Sequence, residues 1–150
     1  MTAFDTAWDL LKMPFHGTGS RNAKQIMREG LRPMPHPWFM NNPDYPNRVS
    51  FASKEPTYAG EFAQIRSDKG GPAIIHISDE MPTIMNEEGA DAVVYGETIP
   101  PEMMEIVYQG REILPEEDED DYQDWVQNDI REWLLARNAN PNVWERGDDE

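Results

Sequence analysis

The segment from His16 to Ser20 has the sequence His-Gly-Thr-Gly-Ser, and its residue types could do chemistry. A histidine directly before a glycine puts an imidazole beside bare backbone, where a flat polar ligand can approach main-chain N–H and C=O groups. The alternative is a plain turn between a strand and a helix, with a partly buried histidine. The segment has neither the lysine and spacing of a Walker phosphate loop nor the dinucleotide-binding glycine pattern.

The other residue types predict neither a metal site nor a protein nucleophile. The three histidines, at positions 16, 36 and 76, are scattered, and the chain has no cysteine and no His-Glu-x-x-His spacing. The sequence also lacks a serine nucleophile elbow. We therefore expect no metal, no thiolate chemistry and no disulfide.

The charge of the chain disfavours some partners. The 150 residues include 29 acidic and 13 basic side chains, for a net charge of −16. This balance disfavours direct binding of nucleic acid or of anionic membranes, because both need a cationic face. No run approaches the roughly 18 apolar residues of a membrane span, and Met1 to Met13 lacks the features of a signal peptide. We expect a soluble cytoplasmic protein.

Acidity also divides the chain. Glu116 to Asp121 are six adjacent acidic residues, which repel one another and stay solvated. The sequence therefore predicts a globular domain at residues 1–114 and an acidic C-terminal segment at residues 115–150.

The acidic segment contains one predicted amphipathic helix, from Tyr122 to Ala139. Its apolar stripe includes Trp125 and Trp133. Two roles stay open for this stripe: it covers the sheet as part of the core, or it docks a partner.

Periodicity and turn residues predict an α+β fold with a small mixed or split sheet and short helices. Predicted strands lie at 15–18, 48–52, 73–78, 91–95 and 104–108, and predicted helices at 5–12, 22–29, 55–65 and 122–139. Ser20 or Asn22 is expected to cap the helix that Gly30 ends. Five prolines between positions 33 and 47 predict an irregular loop. Its aromatic residues either stack on a ligand or pack the loop down.

Six short segments follow one another in a set order. They are His16-Gly17-Thr18, Glu29-Gly30-Leu31-Arg32-Pro33, Val49-Ser50-Phe51-Ala52-Ser53, Tyr58-Ala59, Asp91-Ala92-Val93-Val94-Tyr95 and Ile99-Pro100-Pro101-Glu102-Met103. This succession resembles the ADP-ribosyltransferase fold, in the branch shared by diphtheria-toxin-like enzymes, poly-ADP-ribose polymerases and RNA 2′-phosphotransferases. The resemblance covers roughly Phe15 to Tyr108 and depends on the joint order of the motifs.

The resemblance implies that NAD is the substrate and that nicotinamide is released. It implies that His16 hydrogen-bonds the NAD ribose and that the backbone of Gly17 pairs with the nicotinamide amide. Thr18 is expected to assist through its hydroxyl.

Three further residues are candidates for NAD binding. Ser50 stands where the polymerase-like branch has the tyrosine of Tyr-Phe-Ala, a departure from the family pattern. Tyr58 is the expected substitute aromatic, with a core position in its helix as the alternative. Ser53 is either a ligand contact or a helix cap.

The resemblance also implies a catalytic carboxylate. Asp91 falls at the place of the glutamate that opens the corresponding strand in the polymerase-like branch. Glu97, at the far end of that strand, is the second choice, and Glu88 is the third. A fixed anion would stabilise the positive charge that builds on the ribose as its bond to nicotinamide breaks.

We therefore expect an NAD-dependent ADP-ribosyltransferase acting on a protein or other acceptor, and the acidity favours a basic or protein acceptor. An RNA 2′-phosphotransferase-like enzyme is a lower-ranked alternative, because the first motif lacks a His-Arg pair. A non-enzymatic acidic interaction protein, including a DNA mimic, is the alternative from a different class. The sequence does not predict an oligomeric state.

Overall fold

The computed structural model describes residues 14–54, 56–67, 70–86 and 92–136. The helix predicted at 5–12 and the candidate carboxylates Asp91 and Glu88 lie outside the described residues. The elements that position the candidate site all lie within them.

A six-stranded antiparallel sheet forms the centre of the protein, which confirms the predicted α+β class. The strands are β1 (Phe15–Gly19), β2 (Met34–Pro35), β3 (Arg48–Ser53), β4 (Pro72–Ile77), β5 (Ala92–Tyr95) and β6 (Met104–Gln109). The helices are α1 (Ser20–Glu29), α2 (Pro37–Met40), α3 (Pro56–Ile65) and α4 (Glu119–Ala136), with a 3₁₀ turn at Pro101–Met103. The strand order is β2-β3-β1-β4-β6, and β5 pairs with β3.

The sheet is split between β1 and β3. β1 pairs with β4 over five consecutive residues, whereas its described pairing with β3 is the single pair Phe15↔Ser53. Ser53 also pairs with Ala92, so β5 lies on the opposite edge of β3. We call the gap between residues 16–19 of β1 and residues 49–52 of β3 the seam. On one side of the seam are β1, β4 and β6, and on the other are β2, β3 and β5.

Helices cover both faces of the sheet. Ile75 and Ile77 of β4 pack with Ala23 and Ile26 of α1 on one face, while Ile74 packs with α3 and α4 on the other. Side chains of a strand alternate between its two faces, so the apolar run of β4, broken by the half-buried His76, is what a central strand covered on both sides requires.

The acidic C-terminal helix is part of this core. Tyr122, Val126, Ile130 and Leu134 repeat at every fourth position of α4 and are buried in the second cluster. Trp133 is half-buried beside them and donates a hydrogen bond from Nε1 to the carbonyl oxygen of Val107 at 3.3 Å. The apolar stripe therefore covers the core, which is one of the two roles that the sequence left open.

The run of acidic residues also stabilises the start of this helix. Three of them, at positions 119–121, form the first turn of α4, where the positive end of the helix dipole stabilises negative charge. The helix thus begins three residues earlier than predicted. Among the helices of the described ranges, none is long and apolar enough to cross a membrane.

The predicted side-chain cap of α1 is wrong. The N-cap residue is Gly19, so no side chain caps the first turn of the helix. The hydroxyl of Ser20 accepts a hydrogen bond from the Gln109 side-chain amide, so it is committed to β6. The predicted end of the helix is confirmed, because Gly30 follows it with a φ of 91°, a conformation that favours glycine.

The proline-rich segment is more regular than predicted. It contains β2, which pairs with β3, and the helical turn α2, which has Pro37 at its first position. Phe39 is buried against Val49 and Val94, and the ring of Tyr45 lies 5.6 Å from that of Phe39. These two aromatic residues pack the segment onto β3 and β5.

Candidate functional site

The main-chain groups of Gly17 face the seam. The residues that flank β1 aim their backbone towards β4: the Pro14 carbonyl accepts from the Ile77 N–H at 2.9 Å, and the Ser20 N–H donates to the Gly71 carbonyl at 2.7 Å. Backbone groups of successive residues point to opposite edges of a strand. The N–H and C=O of Gly17 therefore point into the seam, where a flat amide could pair with both.

The other side of Gly17 packs against α3. A Cβ at this position would overlap the carbonyl oxygen of Ala59 and would lie 2.6 Å from the amide nitrogen of Ala63. A glycine is thus required for close packing of β1 on α3, with or without a ligand. The packing role and the binding role use different atoms of the residue.

His16 bridges the seam. Its Nδ1 lies 2.8 Å from the carbonyl oxygen of Phe51. A carbonyl oxygen can only accept, so Nδ1 carries the proton, and Nε2 of the neutral ring is an acceptor. Burial lowers the pKa of His16 below its ordinary value of 6.5; the hydrogen bond to Phe51 opposes this shift, and the charge of Arg66 adds to it. The imidazole is therefore neutral at pH 7, with a fixed tautomer.

A first cleft of about 490 Å³ opens at the seam beside α3. It brings together four of the residues predicted to bind NAD, namely His16, Gly17, Ser53 and Tyr58. The ring of Phe62, one turn after Tyr58 on the same helix, also lines it. The first cleft thus combines aromatic surfaces with the main-chain groups of the seam.

A second cleft, of about 520 Å³, adjoins the first on the side of α1. It is lined by Thr18 and Ser50, the two remaining residues predicted to bind NAD. Four residues line both clefts, so the two clefts adjoin at the seam; they are His16, His36, Phe51 and Arg66.

The two hydroxyls of the second cleft differ in their bonding. Thr18 is buried and its Oγ1 accepts a hydrogen bond from the Asn22 side-chain amide at 2.8 Å. Ser50 is only 6% exposed, and within the described part of the chain its buried Oγ has no hydrogen-bond partner. Because an unpaired buried hydroxyl is costly, Ser50 is suited to hydrogen-bond a ligand in this cleft.

The candidate carboxylates are distributed unevenly around the site. Glu97 lies beyond the end of β5, in a further groove that shares Arg32 with the second cleft and shares no lining residue with the first. The structure therefore does not bring Glu97 together with His16. The opposite end of β5 begins at Ala92, which lines the first cleft and directly follows Asp91 in the sequence.

A further carboxylate, Glu61, lines the first cleft from α3. Sequence reasoning missed it, together with Arg66 and His36. A usable signal was present in the helix, because residues 61 and 62 follow Tyr58 by three and four positions and residue 66 follows residue 62 by four, which puts them on one side of α3 or at its end. No comparable signal marks His36, whose ring reaches the site by packing 5.0 Å from the ring of Phe51.

Comparison with known proteins adds no relative. No protein-family model, no curated protein and no solved structure matches this chain. The support for a functional proposal is therefore the geometry of the seam and its clefts, together with the resemblance carried by the short motifs.

Proposed function

We propose that this protein is an NAD-dependent ADP-ribosyltransferase that binds NAD in the two joined clefts. One observation carries the proposal: a neutral imidazole and an open glycine backbone meet where two clefts join. NAD has two flat heterocycles linked by two riboses and a diphosphate, so it suits two adjoining pockets that share a polar junction.

Each end of NAD has suitable partners. The carboxamide of nicotinamide has one donor and one acceptor side, which match the C=O and N–H of Gly17. Tyr58 and Phe62 offer rings against which the nicotinamide ring can pack. A ribose hydroxyl can donate to Nε2 of His16, because Nδ1 is committed to Phe51. The adenosine half then lies in the second cleft, where Ser50 has a hydroxyl to offer.

The proposed reaction breaks the bond between C1′ of the ribose and the nicotinamide nitrogen. The bonding electron pair leaves with nicotinamide, which becomes neutral, and positive charge develops on the ribose. An acceptor nucleophile then forms a bond to C1′ and loses its proton to solvent or to a nearby base. A carboxylate near the ribose stabilises the charge. Asp91, by its place before Ala92, and Glu61, by its position in the first cleft, are the two candidates that fit.

The net charge favours a basic acceptor. A chain with 29 acidic and 13 basic residues attracts cationic partners and repels nucleic acid. We therefore propose a protein with basic residues around the modified side chain as the acceptor.

The test measures nicotinamide release from labelled NAD, with transfer of label to proteins in a lysate. We expect His16→Ala to reduce release about 100-fold, because it removes a positioning contact to the substrate. His76→Ala is the matched control: His76 packs 5.6 Å from Phe15 and lines neither cleft. It should retain activity once thermal melts confirm that each variant is folded.

Carboxylate variants separate the catalytic candidates. Asp91→Asn and Glu61→Gln are compared with Glu97→Gln, which should have little effect because Glu97 lies in the further groove. Absence of release and of NAD binding by the folded parent protein would rule out the proposal. Salt-sensitive binding to a basic protein that His16→Ala leaves unchanged would then favour the acidic interaction protein.

A further inference from the structure

Arg66 lies at the junction of the two clefts. It is one of the four residues that line both of them. Its N–H donates to the carbonyl of Phe62 at 2.8 Å, directly after the end of α3, and its guanidinium carbon lies 5.1 Å from the centroid of the Phe62 ring. The guanidinium thus lies beside an aromatic ring of the first cleft.

No described carboxylate neutralises this arginine. Among residues 14–54, 56–67, 70–86 and 92–136, Arg111 has an ion pair with Glu117 at 2.7 Å, whereas Arg66 has none within 4.0 Å. Glu61 lines the first cleft from the same helix but is not within ion-pair distance of Arg66. Arg66 is an exposed residue, so its guanidinium is accessible to an anionic ligand that enters the clefts.

The effect of Arg66 on its surroundings supports this placement. Its charge contributes to the lowered pKa of His16, so the guanidinium and the imidazole are close enough to interact. The neutral imidazole leaves Arg66 as the positive charge of the junction.

We infer that Arg66 binds the diphosphate of a ligand that spans the two clefts. A planar guanidinium can donate two parallel hydrogen bonds to phosphate oxygens, which fixes the orientation of the group as well as its position. Arg66 then selects dinucleotides and nucleoside diphosphate sugars over their separate halves. The identity of the spanning ligand rests on the proposed function, whereas the diphosphate site depends only on Arg66 and the joined clefts.

Calorimetric titration of the full chain with four probes tests the inference. ADP-ribose contains the diphosphate and is not consumed by nicotinamide release; adenosine and nicotinamide lack the diphosphate; inorganic pyrophosphate is the diphosphate alone. We expect Arg66→Ala to weaken ADP-ribose binding about tenfold or more, as for the loss of a charge-assisted hydrogen bond. Adenosine and nicotinamide affinities should stay unchanged.

Two further variants serve as controls. Arg66→Lys should retain part of the ADP-ribose affinity, because it keeps the charge but loses the planar fork. Arg28→Ala removes the same side chain from an exposed position of α1 outside both clefts, and should bind every probe as the parent does. Thermal melts establish that Arg66→Ala is folded, which we expect because its contact ring, Phe62, is itself 47% exposed.

The outcomes separate this inference from the proposed function. If Arg66→Ala binds ADP-ribose as tightly as the parent while the parent releases nicotinamide, the inference is overturned and the transferase stands. If ADP-ribose binding depends on Arg66 but no nicotinamide is released, the diphosphate site stands and the transferase fails. If pyrophosphate bound as tightly as ADP-ribose, the inference that the ligand spans both clefts would be overturned. A parent that binds no probe would overturn both.

Discussion

Replacing Gly17 with alanine would force β1 and α3 apart. The added Cβ would overlap the carbonyl oxygen of Ala59 and would lie 2.6 Å from the amide nitrogen of Ala63, about 0.8 Å short of the 3.4 Å at which ordinary contact begins. Both obstructing atoms belong to the backbone of α3, so no side-chain rotation can relieve the overlap. Overpacking of a core costs about 1–3 kcal/mol, and a backbone obstruction places this substitution at the upper end, at about 3 kcal/mol.

Thermal and urea unfolding measure this cost. A loss of about 3 kcal/mol corresponds to a fall in the melting temperature of about 10 °C in a domain of this size. Gly96→Ala is the matched control, because its Cβ would meet only side chains, Ile84 Cγ2 at 3.0 Å and Pro46 Cγ at 3.2 Å. Those side chains can shift by a few tenths of an ångström, so we expect a loss of about 1 kcal/mol or less. If the Gly17→Ala protein had the same melting temperature as the parent, the packing argument would be refuted. Ligand binding would then be the remaining reason for a glycine at this position.

The remaining predictions concern hydrogen bonds and ionisation. Tyr108→Phe removes the hydroxyl that donates to Asp129 at 2.5 Å and leaves a half-buried carboxylate unpaired, so urea unfolding should show a loss of about 1–3 kcal/mol. The hydrogen bonds from Arg111 lower the pKa of Glu117 to about 2, so the pair stabilises the protein above pH 4.5 and loses its effect as the pH falls towards 2. The melting temperatures of the parent and Glu117→Gln should therefore differ at pH 7 and converge near pH 2; a constant difference would contradict this assignment. ¹⁵N NMR of the His16 ring should show a protonated Nδ1 at pH 7 and a titration midpoint below 6.5 that Arg66→Ala raises, and an Nε2-protonated ring would contradict the bridge to Phe51.

Local patterns predicted those elements whose signals are local. β1, β3, β4 and β6 lie where apolar runs and turn residues indicated strands, and Gly30 ends α1 because only a residue tolerant of positive φ fits there. β2 was missed because its two residues form a strand only through pairing with β3. The cap of α1 was mispredicted because Ser20 bonds to Gln109, 89 positions away in the sequence.

The candidate site was predictable to a similar extent. Motif order selected residues that line two adjoining clefts, although that does not test their role in NAD binding. Glu97 is set apart from them by the direction of β5, since Ala92 begins that strand at the first cleft and Glu97 follows its other end. The junction formed by His36 and Arg66 depends on how α2 and α3 fold back against the seam, which a one-dimensional pattern does not contain.

The seam also affects how readily a strand of another chain can pair with this sheet. Strand edges with free N–H and C=O groups invite strands of other chains and so promote aggregation. Here the open edges are short, and the imidazole of His16 already occupies the carbonyl of Phe51. β2 ends at Pro35, which has no N–H to extend a ladder. An invading strand would therefore find few free hydrogen-bonding groups in register at this gap. The bridge from His16 and the proline at the end of β2 thus disfavour pairing of a further strand at the seam.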